Sequence, residues 1–224
     1  MKHDIIIFGM NKFSDWENGR NHNRSYYILQ EMLKRQDIGK ILYIDALPVK
    51  RIKALNTWRE IWFSRKPGYK KKSVFSHYKE LKREKLYHYS TILSVVDWQM
   101  MYRELNKLVQ SIGIIKPVIW SYYPLNVDYF DYIDSKLKVI HLDDDWKKFK
   151  DMQQKTSIDY IDVLRKNYNQ IADKADFIFT ASDELLEIFM GHDNSYWIDD
   201  VHKDKISDYD WAALVEEMFN KMYK

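Results

Sequence analysis

The sequence predicts an α/β fold: a doubly wound, mostly parallel sheet of about six or seven strands with a C-terminal amphipathic helix packed back on it. Three observations carry this expectation. Short β-rich apolar runs alternate with helical periodicity along most of the chain. Several of those runs are unbroken Ile, Val, Leu and Phe rather than alternating, as strands covered on both faces require. The first of them, Ile5-Ile6-Ile7-Phe8, stops at Gly9, where a buried strand gives way to a loop.

In chain order the expected strands are Asp4–Gly9, Lys40–Asp45, Leu86–Leu93, Pro117–Tyr122, Lys138–Asp143 and Asp176–Thr180, with a short one at Ser195–Ile198. Between the first two, Asn23–Gln36 places Tyr26, Tyr27, Leu29 (or Gln30) and Leu33 on one side of a helix, with Gly39 as its stop. Asp97–Ile112 carries Met101, Leu105, Leu108 and Ile112 at helical spacing before Gly113, and Ser157–Asp173 repeats at Ile158, Ile161, Leu164, Tyr168 and Ile171. Ser182 caps a further helix whose first turn holds Asp183 and Glu184, where carboxylates suit the positive end of the helix dipole. Ser207-Asp208-Tyr209-Asp210 has capping-box spacing, with Asp in place of Glu or Gln. After it, Trp211, Leu214, Val215, Met218, Phe219 and Met222 form an apolar stripe that needs a surface to bury it. The polar stretch Asp199–Ile206 before that helix is too short for another βα unit. No repeat and no Gly/Ser- or Pro-rich linker divides the chain, so residues 1–206 read as one domain and 207–224 as a helix packed on it.

Composition narrows the function classes. Apolar residues make up 46% and charged residues 31% of the chain, the balance of a chain able to bury a core. The absence of cysteine removes disulfides, thiol nucleophiles and thiolate metal sites, and fits a reducing, cytoplasmic compartment. No apolar run approaches the roughly 18–20 residues that span a bilayer. The formal charge of +3 hides an asymmetry, because Pro48–Ser90 holds thirteen Lys/Arg against three Glu. Trp58, Trp62, Phe63, Tyr69, Phe75, Tyr78, Tyr87 and Tyr89 lie in the same segment, which therefore suits an anionic surface. Arg65, Lys66, Lys70, Lys71 and Lys72 are its candidate contacts with anionic lipid headgroups. A solvated charged helix such as Lys79–Lys85 would account for part of the charge. Nucleic acid is disfavoured, since no nucleic-acid motif accompanies the charge.

The first strand-to-helix loop, Gly9 to Arg24, contains neither a G-x-G-x-x-G fingerprint nor a P-loop, which argues against a tightly held dinucleotide or nucleoside triphosphate. It nonetheless brings Gly9, Asn11, Trp16, Arg20, His22 and Arg24 to the carboxyl end of the sheet, where ligands bind in such folds. The fifth strand runs into His141-Leu142-Asp143-Asp144-Asp145-Trp146. Three adjacent carboxylates repel one another unless a cation or a hydroxyl sits among them, and one could act as a general base toward a sugar hydroxyl. A metal is the weaker reading of that cluster, and helix capping is the structural one. Tyr122, in Trp120-Ser121-Tyr122-Tyr123-Pro124, is either a stacking wall or core packing. The seven histidines show no H-x-x-x-H or H-E-x-x-H spacing, and there is no G-x-S-x-G, so zinc and serine hydrolases lack support.

Several segments together resemble a known group. "IIIFGM…W…GRNHNRSYYILQEMLKR…KILYIDALPVKR", "KPVIWSYYP", "KVIHLDDDW" and "ADFIFTASDELLEIF" follow the order and spacing of motifs in the N-terminal, Rossmann-like half of GT-B glycosyltransferases of the GT4-like group. The resemblance spans roughly residues 4–198, and within the group it leans toward bacterial teichuronic acid glycosyltransferases. It implies an acceptor-binding domain for a lipid-linked or polysaccharide acceptor in cell-wall or exopolysaccharide synthesis, peripheral at the inner face of the plasma membrane. It places Asp144 on the first Asp of the family's "DDW" element and Gly9 on its first-loop glycine, while His141 stands where the family often has Asp. The nucleotide-sugar, UDP-linked by expectation, belongs to a C-terminal donor domain. That domain is not found between Ile198 and Trp211, so the ending resembles the terminal helix of a full-length enzyme brought directly onto the first half. No cofactor or metal is expected in this chain. The alternative is a non-enzymatic binding module recruited to an anionic membrane or partner through residues 48–90.

Overall fold

The computed structural model describes residues 2–20, 22–45, 51–63, 68–142, 160–181, 183–198 and 209–223. Their strands join in one sheet of order β3-β4-β5-β2-β1-β6-β7-β8-β9. Seven of these strands are parallel: β1 (His3–Phe8), β2 (Ile38–Ile44), β5 (Leu86–Thr91), β6 (Val118–Ser121), β7 (Leu137–Leu142), β8 (Phe177–Thr180) and β9 (Ser195–Trp197). The order reverses between β1 and β6, so this is the doubly wound α/β architecture, with its crevice at the carboxyl ends of those two strands.

Two strands were not legible in the sequence. β3 (Lys70–Ser73) and β4 (Ser76–Lys82) form an antiparallel hairpin that extends the sheet beyond β5. Residues 79–85 are therefore strand and turn rather than a charged helix, with Lys79 paired to His88 and Glu80 to Tyr87. Helix-friendly Lys and Glu are drawn into a strand because β5 offers a row of backbone partners that outweighs weak local preference.

Helices cover the two faces unequally. α1 (Phe13–Glu17), α2 (Arg24–Lys34) and α8 (Trp211–Tyr223) lie on the face lined by Ile5, Ile7, Tyr43, Trp120, Val139 and Phe179. The opposite face, with Ile6, Phe8, Leu42, Ile119, Ile140 and Ile178, takes α4 (Trp98–Ser111), α5 (Tyr129–Tyr132), α6 (Tyr160–Lys174) and α7 (Asp183–Ile188). α3 (Arg51–Phe63) adds a small cluster of Ala54 and Ile61 against Ile92.

Local chemistry explains most boundaries. The Asn23 side chain caps α2 by accepting from the Tyr26 N–H at 3.4 Å, and Asp97 caps α4 from Met100 at 3.1 Å. Gly39 lies inside β2 rather than ending α2. The Asp4 carboxylate accepts from the Lys40 N–H at 2.7 Å, and a Cβ on Gly39 would fall 2.3 Å from that oxygen. α8 is capped by Asp210, which accepts from the Ala213 N–H at 3.0 Å, so the cap stands three residues beyond Ser207, which lies outside the described residues. The stripe of α8 is buried as its periodicity requires, with Met218 fully enclosed and Phe219 stacked at 6.3 Å from Trp120.

Candidate functional site

The carboxyl edge on the α1/α2 face is built from a loop folded down over one tyrosine. At the end of β1 the Gly9 N–H donates to Ile44 O at 2.9 Å, and a Cβ there would fall 2.0 Å from Tyr43 Oη. With no side chain at residue 9, the Tyr43 hydroxyl reaches past it and donates to Asn11 O at 2.9 Å. Burial pushes the Tyr43 phenol well above its usual range, and the Asp45 charge adds to this, so it stays a neutral donor.

α1 then closes over the end of β2. The Phe13 N–H donates to Asp45 Oδ1 at 2.7 Å, and Phe13 and Trp16 are both buried. The Trp16 ring lies 4.9 Å from Tyr43 and 5.6 Å from Tyr26, and His22 stacks on Tyr26 at 4.1 Å. Asn11 Nδ2 reaches Ser25 Oγ at 3.5 Å, Arg24 is buried in the first turn of α2, and Arg20 is exposed. The loop residues expected from the sequence thus form one lip, with Trp16 and Arg24 serving as its packing and Arg20 and His22 lying nearer solvent.

Across the strand reversal, the Tyr122 N–H donates to Phe8 O at 2.9 Å and its ring lies 5.0 Å from His141. Both are buried, and His141 is completely enclosed, beside Trp120 as well. Tyr122 belongs to this wall as packing. Asp143, Asp144, Asp145, Arg65 and Lys66 lie outside the described residues. Lys70 and Lys71 are exposed on β3 at the sheet edge, with Lys72 half-buried. That edge is four strands from β1, about 19 Å at the usual strand spacing.

Sequence reasoning missed the most organised polar group on this edge. Asp45 is buried, and its Oδ1 lies 2.8 Å from His88 Nε2, a close contact whose N–H is not aligned for a hydrogen bond. Burial pushes this carboxyl up, but the His88 ring, the Phe13 N–H and the Ser90 hydroxyl outweigh it and hold it below the usual range. On the other side of the ring, His88 Nδ1 meets Tyr69 Oη at 3.2 Å. The Tyr69 ring lies 4.4 Å from His77, and Lys79 Nζ sits 5.2 Å from its centroid. A signal existed in the sequence: Asp45 terminates an apolar strand, and His88 interrupts another at a position where a core side chain belongs.

Two shallow depressions lie elsewhere, one between α2 and α8 beside Arg35 and Glu216, the other between α6 and α7 beside Tyr168 and Phe189. Among the described residues no three His, Asp or Glu side chains are grouped to hold a metal ion, and no helix is long and apolar enough to cross a membrane. No protein-family model matches the chain, and no curated protein matches it in sequence.

Proposed function

We propose that this chain is the acceptor-side domain of a GT-B-type glycosyltransferase, binding a hydroxyl-bearing glycan or lipid-linked acceptor at the lip between Gly9–Arg24 and Tyr122. The observation that carries the reading is where this lip lies. An aromatic-backed, polar loop without a nucleotide fingerprint occupies the point at which the parallel strand order reverses. The motif resemblance in the sequence supplies the reaction: transfer of a sugar from a nucleotide-sugar, UDP-linked by expectation, to the acceptor hydroxyl. In an inverting reaction Asp144 or a neighbour, Asp143 or Asp145, orients or deprotonates that hydroxyl; in a retaining one these residues only bind. The donor is held by a second α/β domain, so this chain alone turns over little or no nucleotide-sugar. The cationic segment, with Lys70 and Lys71 exposed, favours a peripheral position on an anionic, cytoplasmic membrane face.

NMR titration of the 15N-labelled chain separates the possibilities. A series of methyl glycosides is expected to shift resonances of Asn11, His22 and Tyr122, whereas UDP-N-acetylglucosamine is expected neither to bind there nor to be turned over. Tight nucleotide-sugar binding at this lip, or robust turnover by the chain alone, would overturn the assignment.

The exposure of Lys70 and Lys71 on an edge strand also supports a second reading, a binding module without catalysis that is recruited to an anionic surface. It predicts vesicle binding with no glycoside response at the lip.

A further inference from the structure

Among the described residues, exposed aliphatic side chains gather around a small cluster that stands apart from the two main cores. Ala54, Ile61 and Ile92 form this cluster, and Trp58, Phe75 and Val95 pack against it half-buried. Three of its members each have an exposed aliphatic neighbour in the chain. Leu55, after Ala54, is 44% exposed; Val74, before Phe75, is 49% exposed; Val96, after Val95, is 53% exposed. They come from separate elements: α3, the turn between β3 and β4, and the end of the 3-10 turn Leu93–Val95.

Strand pairing sets this corner at the carboxyl end of the sheet. Ser76 pairs with Thr91 at the end of β5, and the Ile92 N–H donates to Phe75 O at 3.1 Å. The lip occupies the same edge. β5 is two strands from β1, about 10 Å at the usual spacing, and the Phe13 ring of α1 lies 5.3 Å from His88 of β5. Cations border the patch, with Lys70 and Lys71 exposed on β3 and Arg59 exposed one helical turn beyond Leu55. Asp97, which follows Val96, is engaged as the cap of α4. The shallow depressions beside Arg35 and Tyr168 lie elsewhere, so this patch offers a turn, a loop and a helix side rather than a groove. Aliphatic tips beside cations suit the boundary of an anionic bilayer, where apolar area leaves water and the cations meet phosphates. They do not suit nucleic acid, since aliphatic side chains give bases nothing to stack on.

We propose that this corner seats the chain on an anionic bilayer, with Leu55, Val74 and Val96 entering the boundary between headgroups and acyl chains while Lys70, Lys71 and Arg59 meet the headgroups. The inference rests on the membrane reading above and is independent of the acceptor chemistry. Lysines on an edge strand attract an anionic surface from many angles, and they also serve to protect the edge. The aliphatic residues add what charge alone lacks, a contact that forms only in one orientation. That orientation turns the carboxyl edge of the sheet, and the lip with it, toward the lipid.

Vesicles of equal parts phosphatidylcholine and phosphatidylserine test the seat. The combined variant Leu55→Ser/Val74→Ser/Val96→Ser keeps every charge, so it should bind them about tenfold more weakly with an unchanged dependence on salt. A second readout uses the absence of cysteine from the chain, which lets one introduced thiol carry a nitrobenzoxadiazole label. With the label on Val74→Cys, emission is expected to shift to the blue on these vesicles and to be quenched by lipids bearing a nitroxide on the acyl chain. With the label on Ile115→Cys neither change is expected, because Ile115 is 80% exposed but precedes β6 at the opposite end of the strands. Equal quenching at positions 74 and 115, or a serine variant that sediments like the unaltered chain, overturns the seat while leaving an electrostatic membrane contact standing. No sedimentation with these vesicles sinks the membrane reading and the seat with it. Self-association of the chain that the serine variant abolishes, with no emission change on vesicles, assigns the patch to a second copy instead.

Discussion

Gly9 and Tyr43 show how one residue's absence of a side chain shapes the site. The Tyr43 hydroxyl occupies the space a Cβ at residue 9 would need and uses it to hold Asn11 O, which fixes the loop over the sheet edge. Gly9→Ala is therefore expected to destabilise the protein by about 1–3 kcal/mol, the usual penalty of overpacking a filled interior. Urea denaturation checks this, and unchanged stability would mean that Tyr43 has room to swing aside. Glycine at the end of the first strand is visible in the sequence, but its reason is not, because Tyr43 lies 34 residues away and meets it only once β1 and β2 pair.

At the scale of elements, α8 explains itself through the sheet. Among the described residues, the helices that follow β6, β7 and β8 lie on the face of Ile6 and Phe8, while Trp120, Val139 and Phe179 line the other. α8 covers them, and its middle is held from the end of α2 by Arg35, which pairs with Asp37 and Glu216 and lies 4.6 Å over the Phe219 ring. Met218 is fully enclosed in this contact, so Met218→Ala should cost about 2–5 kcal/mol. The check is a lower urea midpoint with an unchanged slope, and a neutral result would show that the helix does not carry the core of this face. The periodicity of α8 and its need for a partner surface were legible. The hairpin of β3 and β4 was not, since its Lys and Glu residues weakly favour helix and become strand only when β5 presents a pairing edge.

For the molecule as a whole, the asymmetry of charge acquires a place. The cationic segment includes the hairpin at one sheet edge, and edge strands rich in lysine also resist pairing with other chains. The two roles separate by experiment. If Lys70 and Lys71 meet lipid, co-sedimentation with vesicles containing phosphatidylserine should fall with rising salt and be weakened by Lys70→Glu/Lys71→Glu, while neutral phosphatidylcholine vesicles bind nothing. Unchanged vesicle binding in that variant would confine the lysines to protecting the edge.

By itself the sequence determined the alternation of strands and helices, the double burial of the central strands and the amphipathic ending. All of these follow from periodicities of a few residues, which chain-local chemistry dictates. It also brought the loop from Gly9 to Arg24 to the right end of the sheet. Only tertiary structure decided that Trp16 and His141 are packing, that Gly39 makes room for a carboxylate, and that Asp45, His88 and Tyr69 line up across strands. Those facts depend on register and strand order, which join residues 19 and 43 positions apart. No local pattern encodes such neighbours, because they are set when the whole sheet finds the pairing that buries its two faces at once.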